Sequence, residues 1–206
     1  MSEDTGWIPL FPLNAVLFPE GLLSLRIFET RYIDMVRECI KRKLQFGVAL
    51  IRSGSEVDGG ASPESVGCLA HIEQWDMPQS GILLLRTRGG ARFRILETRV
   101  LPDRRLDARI EILPDDTTAS ISNTHVRCAS ALKNVIENVL AGGSTEPSAQ
   151  NPFPEPMQLS NASWVGNRWC EILPISLIAR QKLLELDDAE TRLEIVHQYL
   201  QQRNIL

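Results

Sequence analysis

The sequence predicts an α+β protein in which strands come first and helices follow. Three observations carry this. Before residue 115, apolar and polar residues alternate with a period of two in several stretches. After Pro114, apolar residues recur every three or four positions. All but one of the helix-like stretches follow the strand-like ones, which suits segregated layers or two subdomains rather than a parallel α/β sheet. The border falls near residues 113–122, with a strand-rich subdomain over 7–115 and a helical bundle over 120–203.

Ile8 to Tyr32 opens as a short apolar strand and turns at Pro19-Glu20-Gly21. Leu22 to Phe28 forms a second strand that runs into a helix. In that helix Tyr32, Met35, Val36, Cys39 and Ile40 make one apolar stripe, while Arg37, Glu38, Lys41 and Arg42 face water. Leu44 to Ile51 is a strand, and the Gly- and Ser-rich stretch Ser53 to Ser65 is a loop. Gly67 to Trp75 is the next strand, closing at an Asp76 to Gly81 turn that contains Pro78. Leu83–Arg88 and Ala91–Thr98 flank Gly89-Gly90, which reads as a tight hairpin turn. Leu106, Ala108, Ile110 and Ile112 alternate with charged residues along one more strand.

Leu132, Val135, Ile136, Val139 and Leu140 then mark a helix, ended by Gly142-Gly143 through a left-handed terminus. Residues 142–157, with Pro147, Pro152, Pro154 and Pro156, form a proline-rich loop within the bundle. Gln158 to Cys170 is a helix. Ser176 caps the next one. Asp187 caps the last, with Glu190 reaching back as in a capping box, and Leu193, Val196 and Leu200 form its apolar side.

Composition narrows the chemistry. A chain of 206 residues, 43% of them hydrophobic, buries roughly 70% of its unfolded surface and can build a core without disulfides. The net charge of −4 argues against general nucleic-acid or membrane binding, which favour a basic excess. Cys39, Cys68, Cys128 and Cys170 are far apart and lie among apolar residues, so they read as buried reduced thiols. Cys68 with His71 is at most half a metal site, so no metal is expected. The N-terminal MSEDTGW has no apolar core of a signal peptide, and no apolar run approaches the ~20 residues of a membrane helix. A cytoplasmic location is expected.

Catalytic motifs are thin. No G-x-x-x-x-G-K-[ST] phosphate loop is present. His71, His125 and His197 are scattered and read as structural or solvated. Asp187 reads as a cap and Asp188 as exposed, while Asp115-Asp116 reads as solvated loop acids. The chain is expected to be neither an enzyme nor a cofactor binder.

The order of several segments resembles the substrate-binding domain at the N-terminus of Lon proteases. They are IPLFPL with the LFPEG turn, the helix entry at Phe28, Glu29, Arg31 and Tyr32, and the strand Phe46 to Ile51. Val66-Gly67-Cys68-Leu69-Ala70, the run Arg88 to Ile95, Leu173-Pro174-Ile175-Ser176-Leu177 and KLLEL-D-D-A-E-T-R-L follow. The resemblance spans about residues 7 to 202. It implies a PUA-like β-barrel with one inserted helix, followed by a helical bundle. It also implies a stand-alone, non-catalytic module that binds unfolded or client polypeptides. Such a module would alternatively dock on an ATP-dependent protease or chaperone. The ATPase and the Ser-Lys peptidase of Lon have no counterpart motif among Lys41, Lys43, Lys133 and Lys182.

A client surface needs exposed adaptable or aromatic side chains. Trp75 and Met77 near a hairpin end are the leading candidates, with Phe153 in NPFPEP as a third. Trp164 and Trp169 are expected in the core. PUA-like barrels also include RNA binders. The alternative reading is therefore an RNA surface made by Arg86, Arg88, Arg92 and Arg94 across the expected hairpin. Its bland counterpart is a solvated sheet face balanced by Glu97, Asp103 and Asp107.

Overall fold

A computed structural model describes residues 6–54, 60–116, 120–142 and 151–206. Strands β1 (Trp7–Leu13) and β2 (Leu22–Ile27) lead into helix α1 (Thr30–Arg42). β3 (Phe46–Ser53), β4 (Ser62–Pro63), β5 (Val66–Gln79), β6 (Ile82–Val100) and β7 (Leu106–Ile112) follow. A 3-10 turn (Asn123–His125) then precedes α2 (Val126–Ala141), α3 (Ala162–Ile172), α4 (Leu177–Glu185) and α5 (Ala189–Gln202). The fold is mixed α+β, as the alternation predicts.

The seven strands form one sheet ordered β1-β7-β6-β5-β3-β4. β1 also pairs with β3 in parallel, from Leu10↔Gly47 to Leu13↔Leu50, and β2 pairs with β6 off this path. The loop expected over Ser53–Ser65 holds the short β4, bonded to β3 at Ile51↔Pro63; its residues 55–59 lie outside the described residues.

Gly89-Gly90 is not a turn. β6 runs unbroken through both glycines, pairing with β2 before them and with β7 after Arg92, and with β5 on either side of them. The physical reason is close approach rather than reversal. A Cβ on Gly89 would sit 2.0 Å from the Phe18 carbonyl oxygen. That contact lets Glu20 N–H donate to Gly89 O at 2.9 Å and Gly89 N–H donate to Gly21 O at 2.8 Å. The reversal between β5 and β6 lies instead at Ser80-Gly81, where Gly81 has φ +83. β5 therefore continues through Pro78 and keeps Trp75 to Met77 in a strand.

The chain folds as two compact units. The first comprises Met1–Asp115 with Ser176–Leu184, and the second Asp116–Ile175 with Glu185–Leu206. In the first, α1 lays Tyr32, Met35, Val36 and Cys39 into a cluster with Phe11, Phe46, Leu83 and Leu85. Phe11 and Tyr32 stack at 4.1 Å. A second cluster gathers Leu10, Ala49, Phe93 and Leu106. Phe93 fits because Gly67 has no side chain: a Cβ there would lie 2.5 Å from its ring. Also within this unit, Gln181 on α4 donates to Val66 O at 3.0 Å.

In the second unit α3 is buried nearly all round, with Trp164 and Trp169 each 3% exposed, as expected for core residues. The Trp169 indole N–H donates to Cys128 O at 3.0 Å. α3 starts at Ala162, not at Gln158, because the Asn161 side chain accepts from Ser163 N–H at 2.9 Å and Trp164 N–H at 3.3 Å. Asn161→Ala is expected to lower stability by about 1 kcal/mol, read as a lower urea midpoint at unchanged slope.

Two other helix ends differ from expectation. Gly142 closes α2 with φ −85, outside the left-handed region, and Gly143 to Gln150 lie outside the described residues. The cap of α5 is Asp188, not Asp187: Asp188 Oδ2 accepts from Thr191 N–H at 2.7 Å. Thr191 therefore holds the third helical position, and Glu190 sits one place too early for a capping box. These bonds from Thr191 hold the Asp188 carboxyl below its ordinary range. Ser176 caps α4 as expected, accepting from Ala179 N–H at 3.1 Å.

Candidate functional site

Trp75 and Met77 stand two residues apart on β5, so they share a face of the strand. Trp75 is 56% exposed, while Met77 is half-buried against the α1 cluster. α1 and β6 complete the surroundings. Ile40 and Leu83 join the two side chains in an open apolar groove of about 320 Å³, and Arg37 and Lys41 stand on its rim. Arg37 Nη2 lies 3.7 Å from Met77 Sδ. The sequence places Met77 in an Asp76–Gly81 turn, so the strand face that Trp75 and Met77 share is a finding of the structure. Sequence reasoning missed the α1 wall, although Ile40 at the end of the apolar stripe is the signal that could have shown it.

The first unit has another hollow, of about 280 Å³, between β1, β2 and the start of α1. Leu23, Leu25, Tyr32 and Phe28 line it, and Phe28 is 63% exposed. Glu29 stands at the head of α1, where Arg31 bonds it at 2.7 Å and reaches the Arg104 carbonyl at 3.0 Å.

Phe153 belongs to the second unit and is buried, at 7% exposure. Its ring lines a hollow of about 500 Å³ with Ile136, Leu140 and Met157. Asn151 Oδ1 accepts from its backbone N–H at 2.8 Å, fixing the NPFPEP entry. The structure thus brings Trp75 and Met77 together and leaves Phe153 apart, folded into its own unit.

The four arginines do not make a basic patch. Arg92 is 3% exposed and donates to the Leu184 carbonyl at 3.0 Å and the Pro114 carbonyl at 3.3 Å. Arg86 and Arg88 both pair with Glu73, and Arg88 also lies 3.5 Å from Glu20. Only Arg94 of the set is exposed on the strand surface. The expectation failed because it placed a turn between the two arginine pairs, where β6 is in fact continuous. The neighbouring charges compensate each other as ion pairs: Arg99–Asp107 at 2.7 Å, Arg105–Asp103 at 2.5 Å and Arg109–Glu97 at 3.3 Å. The RNA alternative has no support in this arrangement.

Nucleophiles and metal ligands are placed for structure. All four cysteines are buried and none is in a disulfide. Burial, with Glu38 second, pushes the Cys39 thiol up to about 11; burial, with Glu194 second, does the same for Cys128. Both stay protonated at neutral pH, and a protonated thiol is a poor nucleophile. Cys68 Sγ donates to Gly90 O at 3.3 Å inside the core, whereas His71 is exposed beside Gln45. His125 sits between Ser122 Oγ at 3.1 Å and Glu194 Oε2 at 2.7 Å, and the His125 bond holds the Glu194 carboxyl low. His197 Nδ1 lies 3.3 Å from Cys128 Sγ. Among the described residues no group of three or more Cys, His, Asp or Glu is arranged to hold a metal ion. Among them, too, no helix is long and apolar enough to cross a membrane.

Comparison with known proteins bears on the family of the chain as a whole. A family model described as the ATP-dependent protease La (LON) substrate-binding domain matches residues 7–202. Lon protease of Anaeromyxobacter dehalogenans is 25% identical over 199 residues, covering 95% of this chain and 23% of its own length. Lon protease 2 of Myxococcus xanthus is 25% identical over 199 residues, with 95% and 24% covered. The chain thus spans about a quarter of the curated relatives it matches. Among solved structures it is similar to a Lon N-terminal domain protein from Xanthomonas campestris. There the TM-score is 0.71 and the identity 34%, with 92% of this chain and 96% of that one covered. The N-terminal domain of Mycobacterium avium complex Lon protease shares the fold, at TM-score 0.56 and 18% identity.

Proposed function

The chain belongs to the family of Lon substrate-binding domains, and on that premise we propose that it is a non-catalytic module that recognises polypeptides through the Trp75–Met77 groove. The observation that carries this reading is a large aromatic side chain, 56% exposed, set over an apolar floor against α1. Tryptophan is among the residues most enriched at the energetic centre of interfaces. Methionine beside it adapts to side chains of different shape. Such a surface takes an apolar segment displayed by an unfolded client. The β1-β7-β6-β5-β3 path returns to β1 through the β1–β3 pairing, which supports reading the strands as the PUA-like barrel of this family. Four buried cysteines outside any disulfide fit a reducing, cytoplasmic setting.

The test is equilibrium binding of a fluorescent, reduced and alkylated polypeptide to the purified protein, at low and high salt. Saturable binding that survives salt is expected. Trp75→Ala is expected to weaken it at least about tenfold, roughly 1.4 kcal/mol, with an unchanged thermal melt because the side chain is exposed. Wild-type affinity in Trp75→Ala would remove this groove as the site. Absence of binding at either salt would leave docking on an ATP-dependent protease or chaperone partner as the reading to pursue, by co-purification from native lysate.

A further inference from the structure

Resting on that reading, we propose that the Trp75 groove selects linear segments in which a large apolar side chain is flanked by carboxylates. The floor of Trp75, Met77, Ile40 and Leu83 holds about 320 Å³. That is the low end of ligand-sized cavities, about 300–1,000 Å³, and suits one or two side chains rather than a folded surface. One rim is cationic. Arg37 and Lys41 are one turn apart on α1, so their Cβ atoms lie about 6 Å from each other along a single edge.

The charges around that rim are not balanced. Arg42 pairs with Glu38 at 3.4 Å, and Arg37 lies 3.7 Å from Asp34 in an exposed pair. Among the described residues Lys41 has no ion pair, and neither does Lys43 just beyond it. Arg37 also leans on Met77 Sδ, which holds its head over the groove. On β5 the acidic neighbour Asp76 alternates with Trp75 and Met77 and so faces the opposite side of the strand. Glu73 faces Arg86 and Arg88 and is consumed by them. The groove therefore pairs an apolar floor with uncompensated positive charge, on a chain whose net charge is −4. A carboxylate beside an anchored aromatic residue would meet Lys41 and Arg37 at the edge of a desolvated contact, where charge complementarity sets specificity.

Two labelled peptides test this, identical except that a central Phe is flanked by Asp in one and by Lys in the other. Binding is measured by fluorescence anisotropy to the full chain, at low salt and at about 0.5 M salt, where exposed charges are screened within about 4 Å. The acidic peptide is expected to bind about three- to tenfold tighter at low salt, and the preference is expected to shrink at high salt. Lys41→Glu should abolish or reverse the preference, and Lys41→Gln, which places no new charge near the helix end, should remove most of it. Equal affinity for both peptides, still lowered by Trp75→Ala, would overturn the charge selection and leave the groove reading standing. Failure of both peptides to bind would overturn the two together.

Discussion

Asp116→Ala is expected to lower the stability of the second unit by about 3–5 kcal/mol, the cost of stranding a buried charge. Asp116 is the partner of Arg192, whose side chain is only 1% exposed. Arg192 Nη1 lies 2.5 Å and Nη2 3.4 Å from the two carboxylate oxygens, and Nη2 also donates to the Leu186 carbonyl at 2.6 Å. Ser163 Oγ donates to the same carboxylate at 2.5 Å, tying α3 to the pair. Removing the carboxylate leaves the guanidinium in the interior without its counter-charge. Urea unfolding followed through Trp164 and Trp169 reads the loss. The double variant Asp116→Leu with Arg192→Met removes both charges, and buried pairs replaced by apolar groups are often neutral. It is expected to be more stable than Asp116→Ala. A loss below about 1 kcal/mol in the single variant, the range of an exposed pair, would mean that water reaches the site.

Gly89→Ala is expected to cost about 3 kcal/mol. A single methyl usually costs little in a strand, but here it must occupy a point 2.0 Å from Phe18 O, a backbone atom that no rotamer change can move. Overpacking of this kind costs about 1–3 kcal/mol. Displacing the Phe18–Gly21 turn also breaks the two backbone bonds between that turn and Gly89, each worth about 1 kcal/mol. A thermal melt measures it, with Gly90→Ala as the control. At Gly90 the nearest atoms to a new Cβ belong to the His71 ring at 3.3 Å, which is exposed and can yield. Equal melts for the two variants would refute the steric argument.

The fold class was legible because it rests on periodicity, and periodicity is a local property. β7 and the apolar stripe of α1 can be read residue by residue. What failed was where one local signal has two physical causes. A Gly-Gly pair marks a tight turn or a close backbone approach, and only the position of Phe18 distinguishes them. Adjacent aspartates at 187 and 188 are equally good caps, and the start of α5 decides between them. Asp115-Asp116 reads as solvated because nothing nearby in sequence balances it; its partner is Arg192 on α5. The candidate groove was half legible for the same reason. Trp75 and Met77 stand out in the sequence as large apolar residues near a hairpin end, but the strand they share and the α1 wall with its cations do not. Arg92 looked like its neighbours Arg86, Arg88 and Arg94, and only the carbonyls of Leu184 and Pro114 set it apart.

The placement of α4 bears on how this protein can be cut and recombined. The chain passes from the first unit to the second after Asp115, returns after Ile175 and leaves again after Leu184. No single breakpoint yields two whole pieces. A gene fragment ending at residue 115 encodes the strands but omits Leu184, the carbonyl that Arg92 needs, and Gln181, which satisfies Val66. A minimal strand module therefore has to be spliced, with residues 176–184 rejoined behind the last strand through a new connector. For the same reason, inheritance by fusion favours carrying both units together as one cassette.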